Sequence, residues 1–307
     1  MSSVILVAGS INIDLTVTAD EIPLVGETVI GKSFNQYPGG KGANQAVAAA
    51  KLKAGVCFLG KVGEDAYGDF MLREMASGGV DVSHIERCET STGIASISVD
   101  SKGQNNIIVV PGANFRLDFS YIDRHKDAIE NCDIILSQHE IPMEITEYVF
   151  KIAKSFNKTT ILNPSPAQKI SEVMVGLTDI LVPNEFELSR MTGLECKTSQ
   201  DIVKASRMLQ SQGIKTIIVT MGKEGVMYFG GEDERSFPAF KVDPVDTTAA
   251  GDSFLGGFAA SYAKNSDIAA AIEYGQMVAS YSIQRKGAQS SMPSYEEFEA
   301  YQKTITK

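Results

Sequence analysis

The chain has 307 residues, of which 43% are hydrophobic and 21% are charged, so it is long enough to bury a full hydrophobic core without disulfides. Its 27 glycines and 10 prolines are close to ordinary usage, which excludes collagen-like and low-complexity classes. The 28 basic and 38 acidic residues give a formal charge of −10, which disfavours a nucleic-acid binder or an anionic-membrane binder.

Short β-branched runs alternate with amphipathic or alanine-rich stretches along most of the chain. This alternation is typical of βαβ units and predicts an α/β fold of three layers, a mostly parallel sheet with helices on both faces. The predicted strands lie at residues 4–8, 55–59, 133–136, 159–162, 179–182, 216–220 and 225–228, and the predicted helices at residues 43–54, 70–77, 145–155 and 202–212. Almost no strand signal follows residue 251, so the last part of the chain is predicted to be helical.

Two segments interrupt the alternation. Residues 15–38 and 92–110 resemble extended, hairpin-forming strands without a helix between them, and residues 100–103 supply a turn. We expect them to form a small β lid over the main sheet. Because we find neither an internal repeat nor a linker, residues 1–307 are predicted to form a single domain.

The cysteines and histidines indicate no metal site or His-based nucleophile. The four cysteines lie far apart without a Cys-x-x-Cys pair, and the three histidines share no motif. No apolar stretch approaches the ~18 residues of a membrane span, and residues 4–8 are too short for a signal core. We therefore expect a cytoplasmic protein with reduced thiols, whose chemistry depends on carboxylates.

One formal motif is rejected. Gly26-Glu-Thr-Val-Ile-Gly-Lys-Ser33 matches the expression for a phosphate-binding P-loop, which needs a preceding strand and a helix that begins at its Lys-Ser. Here residues 27–30 are themselves strand-like, and residues 34–40 cannot open a helix. A lid strand is predicted instead.

The strongest local signal is Asp246-Thr-Thr-Ala-Ala-Gly-Asp-Ser-Phe254, in which small residues lead into a helical run at residues 252–263. The free N–H groups of a first helical turn favour an anion, and small residues let a phosphate approach the backbone. An ionised Asp252 beside such amides is what phosphoryl transfer to an alcohol needs, a proton acceptor next to charge stabilisation. A helix cap is the alternative role for Asp252.

Three further loops carry polar residues. The glycine-rich run at residues 39–45 precedes an alanine-rich helix and offers Lys41 and Asn44 to a ligand, although a plain helix start is equally consistent with it. After the first strand, Asn12 and Asp14 point to the same side and suit vicinal sugar hydroxyls, with a turn as the alternative.

The third loop, residues 184–187, follows a predicted strand. Its carboxylates could hold Mg²⁺ through water, or its residues could cap a helix. Because ligands of open α/β sheets bind at the carboxyl ends of strands, the convergence of these loops is more informative than any single motif.

Together these motifs resemble the ribokinase-like (PfkB) carbohydrate kinase family over essentially the whole chain. The two main signatures are Gly39-Gly-Lys-Gly-Ala-Asn-Gln-Ala46 and Asp246-Thr-Thr-Ala-Ala-Gly-Asp-Ser-Phe254. In family order the chain also contains Gly9-Ser-Ile-Asn-Ile-Asp14, Gln138-His-Glu140, Asn163-Pro-Ser-Pro-Ala167, Pro183-Asn-Glu-Phe-Glu187, Thr220-Met-Gly-Lys-Glu-Gly225 and Arg285-Lys-Gly-Ala-Gln-Ser-Ser291.

The resemblance implies ATP-dependent phosphorylation of D-ribose at its 5-hydroxyl, with Mg²⁺ and activation by K⁺. It assigns Asp252 as the base and the amides of Ala249, Ala250, Gly251 and Asp252 as the anion hole. The sugar site implied is Asn12, Asp14, Gly40, Lys41, Asn44, Glu140 and Asp252. The nucleotide site implied is Asn184, Glu187, Thr220, Gly222, Gly225, Gly251 and Gln276, of which Glu187 is linked to Mg²⁺ and phosphate.

The resemblance also places Asp246, Thr248, Ser282, Arg285, Gly287 and Ser291 around the monovalent cation, several of them through backbone carbonyls. It implies a homodimer in which two lids clasp, with D-ribose and ATP as partners and with neither nucleic acid nor membrane. Two positions depart from the pattern: His139 stands where the family often has an apolar residue, and Gln276 occupies a variable position. A sibling kinase acting on 2-deoxyribose, another pentose or a nucleoside, a non-catalytic sensor and a lid-mediated scaffold are the alternatives.

Overall fold

The computed structural model describes residues 3–305. Its strands are β1 (Val4–Ala8), β2 (Asn12–Ala19), β3 (Gly31–Gly39), β4 (Gly55–Gly63), β5 (Ile85–Cys88), β6 (Gly93–Val99), β7 (Asn105–Val110), β8 (Ile134–Gln138), β9 (Thr159–Asn163), β10 (Ile180–Leu181), β11 (Thr216–Thr220), β12 (Val226–Gly230) and β13 (Asp233–Phe237). Its α-helices are α1 (Lys41–Lys51), α2 (Ala66–Ser77), α3 (Phe119–Arg124), α4 (Lys126–Asn131), α5 (Met143–Ser155), α6 (Glu172–Leu177), α7 (Glu185–Thr192), α8 (Ser199–Gln212), α9 (Ala250–Asn265), α10 (Ile268–Ser282) and α11 (Tyr295–Gln302).

The main sheet has nine strands in the order β13-β12-β11-β10-β9-β8-β1-β4-β5. All neighbours are parallel except β11–β12 and β12–β13, which are antiparallel. The alternating side chains of β1 show how two cores arise, because Ile5 and Val7 pack with α1, α2, α9 and α10, whereas Leu6 and Ala8 pack with helices α3 to α8. The predicted three-layer α/β fold is confirmed.

A second sheet is built from the two segments that interrupt the alternation. Its order is β3-β2-β6-β7, with β2 and β6 parallel and the outer pairs antiparallel. The sheet begins earlier than the predicted segment, so that Asn12 and Asp14 lie on its strand β2 rather than in a loop. We call this four-stranded sheet the lid.

The strand predicted at residues 27–30 is wrong. Gly26 has a φ of 85°, the amide of Glu27 donates to the carbonyl of Leu24, and the Glu27 carboxylate accepts from the Leu24 amide. These contacts form a turn, and β3 starts only at Gly31. The segment after the P-loop-like residues is a strand, so no helix opens there, as predicted.

Parallel pairing brings the predicted loops to one edge of the main sheet, because the carboxyl ends of β1, β8, β9, β10 and β11 lie side by side. The segments that follow these ends contain Ser10, Glu140, Asn184 and Gly222. Among the helices within residues 3–305, none is long and apolar enough to cross a membrane. The four cysteines are free thiols, three of them buried.

Candidate active site

The cap residue and first turn of α9 present unpaired amides. Ala249 precedes the helix with a φ of 57°, a left-handed conformation that is costly for a residue other than glycine. The amide of Ala250 donates to the carbonyl of Thr247 at 3.2 Å, whereas those of Ala249, Gly251 and Asp252 have no acceptor within residues 3–305. Three of the four predicted anion-hole amides are therefore free at the positive end of a 16-residue helix.

Asp252 does not cap α9, because Ala249 occupies the cap position and both carboxylate oxygens of Asp252 are bound by α1. Asn44 Nδ2 donates to Oδ2 at 3.0 Å, and Gln45 Nε2 donates to Oδ1 at 2.9 Å. The close approach of the helices depends on Gly256, since a Cβ there would lie 2.8 Å from the carbonyl oxygen of Gln45. Asp252 is thus a buried carboxylate, 7% exposed, fixed by two amide donors.

The glycine-rich run before α1 is needed for the packing of the backbone, in addition to any contact with a ligand. Gly40 has a φ of 88°, and a Cβ on it would lie 2.7 Å from the amide nitrogen of Asn12. A Cβ on Gly42 would lie 2.6 Å from the amide nitrogen of Ser10, whose carbonyl accepts from Ala43 at 2.9 Å. The glycines therefore let the start of α1 pack directly on the segment between β1 and β2.

Four carboxylates surround Lys41. Burial alone would lower the pKa of Lys41, but Asp252, Glu140, Glu187 and Asp14 together raise it above its usual value. Glu140 Oε2 accepts from the amide of Lys41 at 3.0 Å and from Ser10 Oγ at 2.5 Å, which fixes Glu140 at the start of α1.

The carboxyl group of Asp14 binds its proton more tightly than an ordinary aspartate. Burial, followed by the charges of Glu140 and Asp252, raises the pKa of Asp14 to about 7, although Lys41 opposes this change. The predicted sugar site thus contains one carboxyl group that is half protonated near neutral pH.

Asn114 contacts the predicted sugar residue Asn12, a link that sequence reasoning missed. It is buried, and its Oδ1 accepts from the amide of Ile11 at 2.8 Å. Its Nδ2 donates to the carbonyl of Ile11 at 3.2 Å and to Asn12 Oδ1 at 2.7 Å. Because Asn12 Oδ1 is occupied, the Nδ2 of Asn12 is left as a donor for a ligand.

A cavity of about 220 Å³ joins several of the predicted groups. The predicted residues that line it are Lys41, Asn184, Glu187, Thr220, Ala249, Ala250, Gly251 and Asp252, and those not predicted are Asn163, Ser165, Val182, Thr247, Phe254 and Leu255. The other predicted sugar residues do not line it, although Asn44 and Glu140 contact Asp252 and Lys41 respectively. A second cavity of about 270 Å³, between β12, β13 and the start of α10, contains none of the predicted residues.

Asn184 and Glu187 form a reciprocal capping box at the start of α7. Asn184 Oδ1 accepts from the amide of Glu187 at 2.8 Å, and Glu187 Oε2 accepts from the amide of Asn184 at 2.9 Å. The capping interpretation is therefore correct, yet Glu187 Oε1 is not used in the cap. A single carboxylate oxygen at a cavity fits Mg²⁺, which binds through one or two carboxylates, waters and substrate phosphates.

Gly222, Gly225 and Gln276 lie outside this cavity. Gln276 Nε2 donates to the carbonyls of Phe237 at 3.0 Å and Pro238 at 3.4 Å, while its buried Oε1 has no hydrogen-bond partner among the described residues. Gly225, with a φ of 96°, packs against the same two residues, and its amide donates to the carbonyl of Gly222 at 3.1 Å. Gly225 and Gln276 are thus brought to one segment, whereas Gly222 is connected to it only through Gly225.

The predicted cation residues form two adjoining groups. Asp246 Oδ1 accepts from the amide and hydroxyl of Thr248 at 2.9 and 2.6 Å, and its Oδ2 accepts from the amide of Gly287 at 2.9 Å. Ser282 Oγ and Ser291 Oγ lie 2.5 Å apart. The amide of Asp246 donates to the carbonyl of Ile283, the residue that follows Ser282. This hydrogen bond connects the two groups.

The oxygen atoms of these two groups belong to carboxylate, hydroxyl and carbonyl groups, and such oxygens are suitable ligands for a hard cation such as K⁺. The guanidinium of Arg285 lies 3.5 Å from the centre of the Tyr281 ring and donates to the Tyr281 carbonyl. Arg285 could therefore contribute only its backbone oxygen.

Comparison with known proteins identifies the family. The profile of pfkB family carbohydrate kinases matches residues 2–295. The chain belongs to the pfkB family. The family resemblance of the sequence motifs is thereby confirmed.

Individual pfkB relatives match along their full length. Ribokinase of Bacillus subtilis is 41% identical over 296 residues, which cover 96% of this chain and 98% of that protein. Deoxyribokinase of Salmonella typhimurium is 38% identical over 299 residues, which cover 97% of this chain and 98% of that protein. The structure of Arabidopsis thaliana ribokinase complexed with ribose and ATP matches with a TM-score of 0.92 at 33% identity, over 98% of this chain and 99% of that one.

Proposed function

We propose that the chain transfers the γ-phosphoryl group of ATP to the 5-hydroxyl of D-ribose, giving D-ribose 5-phosphate and ADP. The observation that carries this proposal is the buried carboxylate of Asp252 beside the free amides of Ala249 and Gly251. A proton acceptor next to an anion site is the minimum that phosphoryl transfer to an alcohol requires.

In this reaction Asp252 accepts the proton of the sugar hydroxyl as the hydroxyl oxygen bonds to the γ-phosphorus. The bond from the γ-phosphorus to the β–γ bridging oxygen breaks, and its electron pair leaves with ADP. The amides of Ala249, Gly251 and Asp252 donate to the oxygens of the transferring group, where negative charge is spread in the transition state. The amide of Ala250 can donate to the same oxygens only if its hydrogen bond to the carbonyl of Thr247 breaks.

Asn12, Asp14, Gly40, Lys41, Asn44 and Glu140 form the proposed sugar site. Asn12 offers a donor, because Asn114 occupies its oxygen, and Asp14 offers acceptors once it is ionised. Lys41 is the cation among these carboxyl groups, so it offsets part of their charge before ATP arrives and meets the phosphates afterwards.

Asn184, Glu187, Thr220, Gly222, Gly225 and Gln276 form the proposed nucleotide site. Glu187 Oε1 is the carboxylate oxygen that would hold Mg²⁺ through water. When bound with ATP, Mg²⁺ offsets phosphate charge and orients the γ-phosphoryl group.

Asp246, Thr248, Ser282, Gly287, Ser291 and the backbone of Arg285 form the proposed K⁺ site. Asp246 and Thr248 stand only a few residues before Ala249 in the chain. A bound K⁺ would stabilise the conformation of this segment, which carries the anion-hole amides. We therefore expect K⁺ to raise turnover.

The proposed lid closes over the sugar and pairs with the lid of a second copy, within a single domain that spans residues 1–307. Apolar side chains on β3 and β7 support this pairing, because Phe34 is 57% exposed and Ile108 is 69% exposed. Light scattering should give the mass of a dimer, and Phe34→Ser should lower the dimer fraction. A monomer at micromolar concentration would contradict the pairing.

A second candidate acceptor is 2-deoxyribose, because the Salmonella typhimurium deoxyribokinase is about as similar to this chain as the ribokinases are. Charged and amide groups at Asp14 and Asn12 favour the substrate with adjacent hydroxyls. A polar group left unpaired when the 2-hydroxyl is missing costs a factor of roughly 10 to 100 in kcat/KM.

The test is a coupled assay of ADP release with ATP and Mg²⁺, with and without K⁺, against D-ribose, 2-deoxyribose, fructose and adenosine. We expect kcat/KM to be highest for D-ribose and to rise with K⁺. Higher kcat/KM for another acceptor would overturn the ribose assignment while keeping the kinase. No turnover with any acceptor would overturn the kinase and favour a sugar or nucleotide sensor.

A further inference from the structure

Gln45 is a fully buried side chain whose three hydrogen bonds fix its orientation. Its Nε2 donates to Asp252 Oδ1 at 2.9 Å and to Asn163 Oδ1 at 3.2 Å, and its Oε1 accepts from Gln138 Nε2 at 2.6 Å. Asn163 in turn donates its own Nδ2 to the carbonyl of Val182 at 2.9 Å. A flipped Gln45 amide would place its oxygen against two acceptors, so only one orientation is consistent with these contacts.

Gln138 lies on β8 behind Gln45 and is also fully buried. Its Nε2 contacts only Gln45, and its Oε1 has no partner among the described residues. A buried amide that satisfies one neighbour and leaves its own acceptor unpaired is costly for stability. The cost suggests that the contact with Gln45 serves more than packing.

We propose that Gln45 is a positioning residue that holds the Asp252 carboxylate in the orientation from which it accepts the proton of the sugar hydroxyl, and that Gln138 holds Gln45 in place. This inference rests on the proposed kinase activity. Fixed donors hold the oxygens of a carboxylate in place, so these oxygens need no reorganisation during the reaction.

Gln45 acts through Asp252 and not on the substrates. Its side chain is 0% exposed and does not line the 220 Å³ cavity. Asn44, which donates to the other oxygen of Asp252, has different contacts. Its Oδ1 accepts from Gln289 Nε2 at 3.0 Å, and the family resemblance places Asn44 at the sugar. Loss of Gln45 should therefore lower kcat and leave the KM for sugar nearly unchanged.

The test measures kcat and the KM for ribose of the full chain at pH 7 with ATP, Mg²⁺ and D-ribose. The variants are Gln45→Leu, Gln45→Glu and Gln138→Leu, with the double variant of Gln45→Leu and Gln138→Leu. Gln210→Leu is the matched control, since Gln210 is a half-buried amide on α8 that bonds the carbonyls of Lys215 and Gly231, remote from the site.

We expect Gln45→Leu to lower kcat at pH 7 by about 10- to 100-fold, the effect of one hydrogen bond to a charged group, with KM for ribose within about 3-fold. Gln45→Glu should lose at least as much, because it keeps the shape of the side chain and replaces the Nε2 donor by an acceptor. Gln138→Leu should give a smaller change in the same direction. The double variant should be no worse than Gln45→Leu, because the two residues act in series.

A raised KM with unchanged kcat, or a Gln45→Glu variant with the kcat of wild type, would show a merely structural role and overturn the inference. If Gln45→Leu fails to fold, the kcat and KM of Gln45→Glu and Gln138→Leu decide, and an unchanged kcat in both overturns it. Normal activity of the variants beside an active wild type contradicts this inference alone. An inactive wild type would overturn the proposed function together with it.

Discussion

Replacing Asp14 by asparagine should stabilise the ligand-free protein in a way that depends on pH. The pKa of this carboxyl group is about 7 in the folded chain, against an ordinary 3.8, chiefly because burial and the charges of Glu140 and Asp252 disfavour its ionised form. The folded state therefore holds a proton that the unfolded state releases as pH rises from about 4 to about 7. Stability falls over that range, and the whole penalty is present above pH 7.

The size of the effect follows from this difference. Since one step in pKa corresponds to about 1.4 kcal/mol, the ionised carboxyl costs roughly 3 to 5 kcal/mol of folding free energy at pH 8. Asparagine has nearly the same shape and no charge. With an unfolding entropy of about 2.1 cal/mol/K per residue, the Asp14→Asn variant should melt roughly 5 to 8 °C above wild type at pH 8.

The assay is thermal unfolding of both proteins without ligand at pH 8 and at pH 5. The gain should shrink to less than half at pH 5, because the penalty grows from about pH 4 to about pH 7 and only its first part is present at pH 5. Asp243→Asn, at an exposed aspartate, is the control and should change little at either pH. An equal melting temperature at pH 8, or a gain independent of pH, would refute the reasoning.

Two further predictions concern residues outside the catalytic segment. Asn114→Ala leaves three buried groups at Ile11 and Asn12 without partners, so the free energy of unfolding in urea should fall by about 1 to 3 kcal/mol. The KM for ribose should rise at least several-fold, and an unchanged KM would refute the link between Asn114 and the sugar site. Ser266→Gly should stabilise the chain by about 0.5 to 1 kcal/mol without changing kcat, because Ser266 follows α9 with a φ of 56°, a conformation that suits glycine. A lower melting temperature would contradict this prediction.

The strands of the main sheet could be predicted where they are buried on both faces. β1 is a continuous apolar run because its alternate side chains enter two different cores. β5 and β13 were missed because they lie at the two edges of the sheet, and most residues of Asp233–Phe237 are exposed and polar. Pairing with a neighbouring strand makes such segments extended, and no local pattern records it.

The candidate site shows the same division between local and long-range information. The start of α9 and the position of Asp252 were predicted, because small residues before a helix form a local pattern. Gln45 is next to Asn44 in the glycine-rich signature, yet only the packing of α1 on α9 shows which of the two amides reaches which oxygen. The contact of Asn114 with Asn12 spans 102 residues, so no spacing in the sequence could have indicated it.

The most direct test of the central claim is steady-state kinetics of Asp252→Asn with ATP, Mg²⁺, K⁺ and D-ribose, beside wild type and Asp243→Asn. Loss of a general base lowers kcat by roughly 10²- to 10⁴-fold, and the KM for ribose should stay within about 3-fold because the other sugar contacts remain. A kcat near that of wild type would contradict the assignment of Asp252 as the base.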